Sequence, residues 1–483
     1  MLYLLALAVR LIDLTEPPLD YQPTRQLHGA LISRAIFYKL QPDAEAGQIE
    51  LAVDAARSEV QYEPPILETL VAMTYWLVGG EQLWVARLWS IFFWLVGGLF
   101  VFALAKRLVS TDAAVISLAY YLFLPLGVTV SRSFQPDSLM VALLVASAFL
   151  LVVWSDKHSW RWAIAGGLAC GLTVLVKGRP APIVGAMLIG VMLAQGNLRD
   201  TIRDGQAWVI LVLSAAFPFA YYLGLSGPGT LTQVGEFSTG VAGLLLERTF
   251  YARWLIFVDD IVFLGVAVLG VIGLPLLPRI GRGLMLGLSI GYLLYGLALP
   301  YNIYTHDYYN LPLVPIVAVS IAPVAGVLLD RLSSLIPRWK LFVVGTGLFL
   351  LGYQAWLART AILATDYYAE SLGWVKMGRE LPSEGSIIGL THDYGTRIAY
   401  YGWRRVGVWP TSQDRVLFEI QGRGPSADID EEFSVRTAGY DYFLVTLFGE
   451  FERQAELKAK LTEEYPLAID GDGYLLFALS TEE

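Results

Sequence analysis

Residues 131–157 read SRSFQPDSLMVALLVASAFLLVVWSDK. A polar mouth ends on Asp137, an unbroken apolar run fills 138–154, and Lys157 follows on the far side. A helix needs roughly 20 apolar residues to cross the hydrocarbon core of a membrane, and this run is close to that length. Similar runs lie at 1–14, 86–105, 112–131, 162–177, 180–195, 207–225, 256–277, 284–300, 311–329 and 340–357. The first is short for a crossing at about 1.5 Å of rise per residue. Either it begins upstream of Met1 or it is a short, tilted span. A cleaved signal peptide fits less well, because no basic stretch precedes the run and no small-residue cleavage site follows it.

The composition agrees with this reading. Of 483 residues, 55% are hydrophobic and 16% charged, and mean hydropathy is +0.54. Globular domains carry about 25% charged residues, so an ordinary soluble enzyme is excluded. So is a disordered chain, which has too little apolar surface to bury. The net charge of −9 argues against a nucleic-acid partner. The single cysteine, Cys170, excludes internal disulfides and cysteine-built metal clusters.

Charge is unevenly placed. From Asp366 onward there are 11 Lys+Arg against 21 Asp+Glu, which leaves 23 against 22 for everything before it. The chain therefore divides into a near-neutral apolar part, 1–357, and an acidic part, 366–483. Lys106-Arg107, Lys157 with Arg161, Arg199 with Arg203, Arg279 with Arg282, and Arg331 with Arg338 and Lys340 fall in alternate loops. The positive-inside rule makes those loops cytoplasmic. The alternation holds if 65–80, which carries Glu68 and begins with Pro64-Pro65, lies in the interface as a juxtamembrane helix. About eleven crossings result, with the N-terminus inside and the C-terminal part outside. Within 366–483, the strand signals SIIGL, YDYFLV and YLLFAL alternate with the helix signals YYAESLGWVKMGREL and EFERQAELKAKLTEEY. The expected fold is thus an α-helical polytopic membrane domain with a small extracytoplasmic α/β domain.

On this map the informative charges gather on the outer face. The first outer loop, 15–85, carries Asp20 in EPPLDYQPTRQLH and Glu63 in YEPP. In it Thr24 is placed to cap a helix running to about Lys39, on which Arg25 and His28 share a face. Asp137 opens the 138–154 span after Pro136, a position that also suits a helix cap. His306, Asp307 and Tyr308 lie in YTHDYYNLPLVP. Arg132, Lys177 and Arg179 supply cations at the same level. Ionisable side chains at membrane depth are costly and mark function. A further outer loop, 226–255, is aromatic-rich. Two other motifs read as structure. Asp428-Ile429-Asp430 sits in an acidic surface run, and GGLACG at 166–171 lies within an apolar span, where small residues pack helices.

Ordered pieces along the chain resemble the GT-C superfamily of polyprenyl-phosphate-sugar glycosyltransferases. The nearest patterns are the bacterial protein-mannosyltransferase-like and aminoarabinose-transferase-like families. The pieces are RLIDL ending the first span, PPLD, EPP leading to RLWS, FALAKRLVS, QPDSL, TVLVKG and THDYYNLPLVP. The resemblance implies a GT-C fold, Asp20 as the general base, Asp137 as a second acidic site residue and Lys177 as a phosphate contact. Two departures matter. Tyr21 follows Asp20 where many relatives have glutamate, and Glu63-Pro64-Pro65 lacks the lysine of the aminoarabinose branch. The missing lysine counts against a lipid A acceptor and weakens the carry-over of a metal-ligand role to Glu63.

The residues themselves support the same chemistry. A polyprenyl phosphate is a good leaving group that needs cations, which Arg25, Arg132, Lys177 and Arg179 supply. An acceptor hydroxyl, on a glycan, lipid or protein, needs a carboxylate base. Direct attack with one base inverts the anomeric carbon. No cofactor is required by this scheme, and a divalent metal on Glu63 and His306 is left open. The competing readings are a flippase or transporter of a lipid-linked saccharide and a non-catalytic envelope assembly protein. Transporters show internal repeats and midplane charges, whereas this sequence shows neither.

Overall fold

The computed structural model describes residues 1–61, 63–196, 198–225, 241–421 and 428–479. Half of the outer loop read at 226–255, including EFSTG at 236–240, lies outside these residues. The chain forms two compact units. One contains 1–14, 61–67 and 86–364, and the other 15–60, 68–85 and 365–483. The first outer loop, which the sequence attaches to the membrane part, thus groups largely with the C-terminal residues.

In the first unit every apolar run of the sequence lies on helix. Among the described residues, six helices are long and apolar enough to cross a membrane: Trp84–Leu108, Asp137–Lys157, Gly205–Gly224, Arg279–Ala298, Leu313–Leu335 and Trp339–Ile362. Ile66–Val78, Thr111–Phe123, Trp160–Val176 and Ala181–Gln195 are shorter apolar helices. Side chains such as Leu341 and Phe349 are more than two-thirds exposed, as expected where lipid is the solvent and all backbone polar groups are satisfied within the helix.

The segment 256–277 is not one straight span. Helix Arg248–Val262 turns by 84° into Leu264–Leu276. Phe263 sits at the corner in a left-handed conformation, φ 55°. The Asp259 carboxylate accepts the Leu264 N–H at 2.8 Å, giving the second helix its N-terminal partner. Hydropathy cannot see this corner, because both sides of it are equally apolar.

Helices approach closely where glycine removes the side chain. Helices Ala181–Gln195 and Arg279–Ala298 cross on Gly190, Gly283, Gly287 and Gly291. A Cβ on Gly287 would stand 2.4 Å from the Ala186 carbonyl oxygen, and one on Gly190 2.2 Å from that of Gly283. Gly167 and Gly171 play the same part against helix Gly205–Phe219, where their Cβ atoms would meet Ile210 and Leu213. The GGLACG stretch is therefore a packing seam. Gly287→Leu is expected to destabilise the protein by about 1–3 kcal/mol or more, the cost of overpacking. Gly345→Leu, where nothing lies within 4 Å, should be neutral. Thermal unfolding of the two variants in detergent checks the contrast.

The second unit holds a five-stranded sheet in the order β2-β1-β3-β5-β4. The strands are β1 (Ile387–Leu390), β2 (Gly407–Val408), β3 (Tyr442–Val445), β4 (Leu467–Gly471) and β5 (Tyr474–Ala478). β1 pairs in parallel with β2 and β3, while β5 runs antiparallel to β3 and β4. Alternation of side chains sends Ile388, Phe443, Val445 and Phe477 to one face with Trp409 and Phe433. It sends Ile387, Leu444 and Leu476 to the other with Trp374 and Tyr474. Asp428 caps helix Ile429–Thr437 by accepting from the Asp430 N–H, and Asp430 pairs with Lys460 at 2.7 Å. The D-x-D string is thus a helix cap and a surface ion pair.

The first-loop helix runs Pro23–Leu40, but Thr24 does not cap it. Pro23 occupies the first turn, Gln22 precedes it with φ 48°, and the Thr24 hydroxyl donates to Asp393 at 2.8 Å. Proline, which lacks an N–H, has made the cap superfluous. Further along, buried Arg34 bonds Glu81 at 3.1 Å and the Tyr400 carbonyl at 2.7 Å. Its guanidinium lies over the rings of Tyr400 and Trp403 at 3.9 and 4.1 Å. Burial disfavours this charge, but the neighbouring Glu81 carboxylate more than offsets it and holds the guanidinium above its usual range.

Candidate functional site

The polar centre of the first unit is built where its helices break. Asp137 is the first residue of helix Asp137–Lys157, behind Pro136. Both Asp137 carboxylate oxygens accept from Lys177 Nζ, at 2.8 and 2.9 Å. Lys177 ends helix Trp160–Val176 by turning extended, φ −149° and ψ 114°. Pro180 blocks resumption of the helix until Ala181. The break frees the lysine side chain from the helix face and aims it at the start of the neighbouring helix. Asp137 and Lys177 are each about 1% exposed.

A third break supplies aromatic rings. In the 305–310 segment, Tyr308 and Tyr309 stack with centroids 4.6 Å apart. Lys177 Nζ stands 5.1 Å from the first ring and 4.9 Å from the second, and the Arg179 guanidinium stands 5.0 Å from Tyr309. These are cation–π distances. The Tyr308 N–H donates to Asp307 Oδ1 at 2.7 Å. His306 Nδ1 lies 2.6 Å from the Thr305 hydroxyl, with its ring edge-on to both tyrosines. The segment is fixed from behind by buried Asn310, whose carbonyl accepts from Tyr292 at 2.5 Å and from Trp254 at 3.1 Å.

Other buried cations donate to hydroxyl and carbonyl oxygens. Arg10 Nε donates to the Ser131 hydroxyl at 2.7 Å. Arg132 Nη2 donates to the Asp13 carbonyl at 2.8 Å, and Arg87 Nη1 to the same carbonyl at 3.4 Å. Among the described residues of this unit, Arg10, Arg87, Arg132 and Lys177 are fully buried, against one equally buried carboxylate, Asp137. Lys177 and Arg179 converge on the Tyr309 ring, and two cations meeting at one place suit an anionic ligand. Gln135 and Ser138 flank Asp137. Among the described residues their side-chain polar atoms are buried with no hydrogen-bond partner, as at a place where a ligand or water completes the bonding.

An apolar groove of about 520 Å³ adjoins this centre. Its lining includes Tyr251, Leu255, Val271, Leu297 and Leu313, together with Trp254 and Tyr292. The last two are the residues that hold Asn310, so one pair of side chains belongs both to the groove and to the support of the tyrosine pair.

The structure thus brings together Asp137, Lys177, Arg179, His306, Asp307 and Tyr308. Glu63 belongs to the same unit and acts electrostatically on Tyr222, whose hydroxyl donates to the Leu175 carbonyl beside the lysine loop. Asp20, Arg25 and His28 belong to the second unit. There, buried Gln26 donates to Asp20 Oδ1 at 3.2 Å and to the Pro18 and Tyr21 carbonyls, which fixes the loop carrying Asp20. His28 pairs with Glu59 at 2.8 Å. Glu63 and His306 belong to no group of three or more His, Cys, Asp or Glu side chains able to hold a metal among the described residues. Sequence reading passed over Tyr309, Asn310, Gln135 and Ser138. All four lie within two positions of residues it singled out, but an amide or hydroxyl near a charge carries no signal of its own.

Residues 62–222 match the family described as dolichyl-phosphate-mannose-protein mannosyltransferase. No curated protein sequence matches the chain. Among solved structures, ArnT from Cupriavidus metallidurans bound to undecaprenyl phosphate is similar, with TM-score 0.60 and 14% identity over 99% of this chain and 97% of that one. The Archaeoglobus fulgidus oligosaccharyltransferase in complex with zinc and sulfate gives TM-score 0.56 and 13% identity over 95% of this chain and 69% of that one. AglB of the same organism, with an inhibitory peptide and a dolichol-phosphate, gives 0.55 and 13% over 95% and 70%. The chain is therefore an integral membrane protein of the GT-C fold, and its residues 62–222 match that mannosyltransferase family.

Proposed function

We propose that this protein is a membrane glycosyltransferase that moves a single sugar from a polyprenyl-phosphate carrier to an acceptor hydroxyl on the outer face of the membrane. The observation that carries the proposal is the junction of an apolar groove with a buried, cation-rich centre through Trp254 and Tyr292. A lipid phosphate has the same two parts, an isoprenoid tail and an anion. Lys177 and Arg179 hold the phosphate, with Arg132 adding positive potential. Asp137 positions the Lys177 ammonium. Asp20 takes the proton of the acceptor hydroxyl as its oxygen bonds the anomeric carbon. The bond from that carbon to the phosphate oxygen breaks, and the polyprenyl phosphate leaves with the electron pair. One displacement inverts the anomeric centre, through a transition state of oxocarbenium character.

Binding of undecaprenyl phosphate to the purified protein, followed by native mass spectrometry, tests the donor side. A hydrogen bond to a charged group contributes about 1.5–3 kcal/mol, so undecaprenol should bind about 10–100-fold more weakly than its phosphate. Leu297→Trp, which fills the groove, should weaken both. Equal binding of alcohol and phosphate would remove the basis of the proposal. The proposed orientation has the N-terminus in the cytoplasm and residues 366–483 outside. Cysteine at the exposed Asp430 position should accordingly react with an impermeant maleimide on intact cells. Labelling only after lysis would invert the map.

A further inference from the structure

The second unit contains a crevice of about 570 Å³ that the transfer reaction does not use. It opens at the carboxyl ends of the parallel strands. Its walls are the turns that follow β1, β2 and β3, from Thr391, Trp409 and Thr446 onward. β1 lies between β2 and β3. The chain leaves β1 to build β2 on one side, then crosses to build β3 on the other. In open α/β sheets such a switch point is where small ligands bind.

The walls are shaped for a ligand that is polar at its edge and apolar on its faces. Asp393 and Tyr394 follow β1 with φ of 49° and 57°, both left-handed. Non-glycine residues hold such conformations at a cost of about 1–3 kcal/mol each. The Tyr394 ring, 46% exposed, and Phe448, 41% exposed, both line the crevice at the surface. Deeper in, the buried Thr391 hydroxyl has no hydrogen-bond partner among the described residues. His392 is fixed by the Thr446 hydroxyl, 3.0 Å from both its N–H and its Nδ1. Burial, and then Arg397, lower the His392 pKa, so the imidazole is neutral.

The charges of the lining are matched inside the protein. Arg453 faces Glu450 at 3.6 Å, and Asp393 pairs with Arg397. Glu450 also accepts from the Ser412 N–H at 2.5 Å. No cationic surplus is left to select a phosphate or carboxylate. Two rim rings, a buried hydroxyl and a neutral imidazole in a space of this size instead suit a sugar, with its C–H faces and peripheral hydroxyls.

We propose that this crevice is a non-catalytic binding site for a neutral saccharide. It is independent of the donor site, and its residues take no part in the transfer chemistry.

Saturation-transfer NMR on the full-length protein in nanodiscs tests this, with mannobiose, cellobiose and diacetylchitobiose as probes and uridine as the non-sugar control. At least one disaccharide should give saturation transfer. Gly449→Trp places a ring at the mouth from a position where nothing lies within 4 Å of a Cβ. It should weaken that disaccharide at least tenfold, with thermal unfolding unchanged. Phe448→Ala should weaken it through loss of the rim. Leu297→Trp, which fills the donor groove, should leave the signal intact, so failure of the donor-site reading does not decide this one. The proposal is overturned if no disaccharide binds, if uridine alone binds, if Gly449→Trp leaves binding intact, or if Leu297→Trp abolishes it.

Discussion

Lys177→Ala is expected to lower sugar transfer about 10²–10³-fold, the usual cost of removing one donor that stabilises developing negative charge. The lysine is bonded to Asp137 within the protein, and the proposal gives it the donor phosphate as well. Taking it away leaves Asp137 buried and uncompensated, which costs about 3–5 kcal/mol of stability. A loss of activity in the single variant therefore mixes chemistry with folding. The pair Lys177→Met with Asp137→Leu separates them. Replacing both members of a buried ion pair by apolar groups of similar size is close to neutral for stability. The double variant should recover thermal stability toward the native protein and remain inactive. Recovery of transfer together with stability would mean that the pair is structural and that the phosphate is held elsewhere.

Asp20→Asn should be the second large effect. A positioned general base contributes about 10²–10⁴-fold to rate, and an amide cannot take the acceptor proton. The substitution keeps shape and keeps an oxygen to accept from Gln26, so unfolding temperature should not move. Binding of undecaprenyl phosphate should persist, because the donor contacts belong to other residues. Gln26→Ala serves as the positioning control. It frees the 18–21 loop and should reduce the turnover rate by a smaller factor. A normal transfer rate in Asp20→Asn would move the role of base to another carboxylate.

The membrane fold was legible because its signal is local and repeated. Each apolar run of the first part lies on helix, and the small-residue seam at 166–171 packs as its spacing implied. The features that escaped are the ones set by tertiary structure. The corner at Phe263 lies within continuous hydropathy. Thr24 was read as a cap from its type, but its hydroxyl is taken by Asp393 across 369 residues of chain. Arg34 finds its carbonyl partner 366 residues away, and contacts of that range hold the first loop with the C-terminal residues. β2 has two residues and β4 is mostly exposed, so neither carries an alternation that a sequence pattern can register.

The candidate site was legible in part for the same reason. Charges at membrane depth stand out singly, and Asp137, Lys177, Arg179, His306, Asp307 and Tyr308 were each visible as such. Their relationship was not. The two helix breaks that let Lys177 reach Asp137 are 40 residues apart, and sequence alone offered a helix cap and a phosphate ligand as separate roles. The structure joins them in one ion pair beneath two tyrosine rings.

The most direct measurement of the central claim is mass spectrometry of cell-envelope glycans from a strain lacking the gene. Loss of one sugar from a defined envelope component is expected, restored by the native chain and not by Asp20→Asn or Lys177→Ala expressed at the same level. Envelope glycans identical with and without the gene would contradict the assignment of sugar transfer.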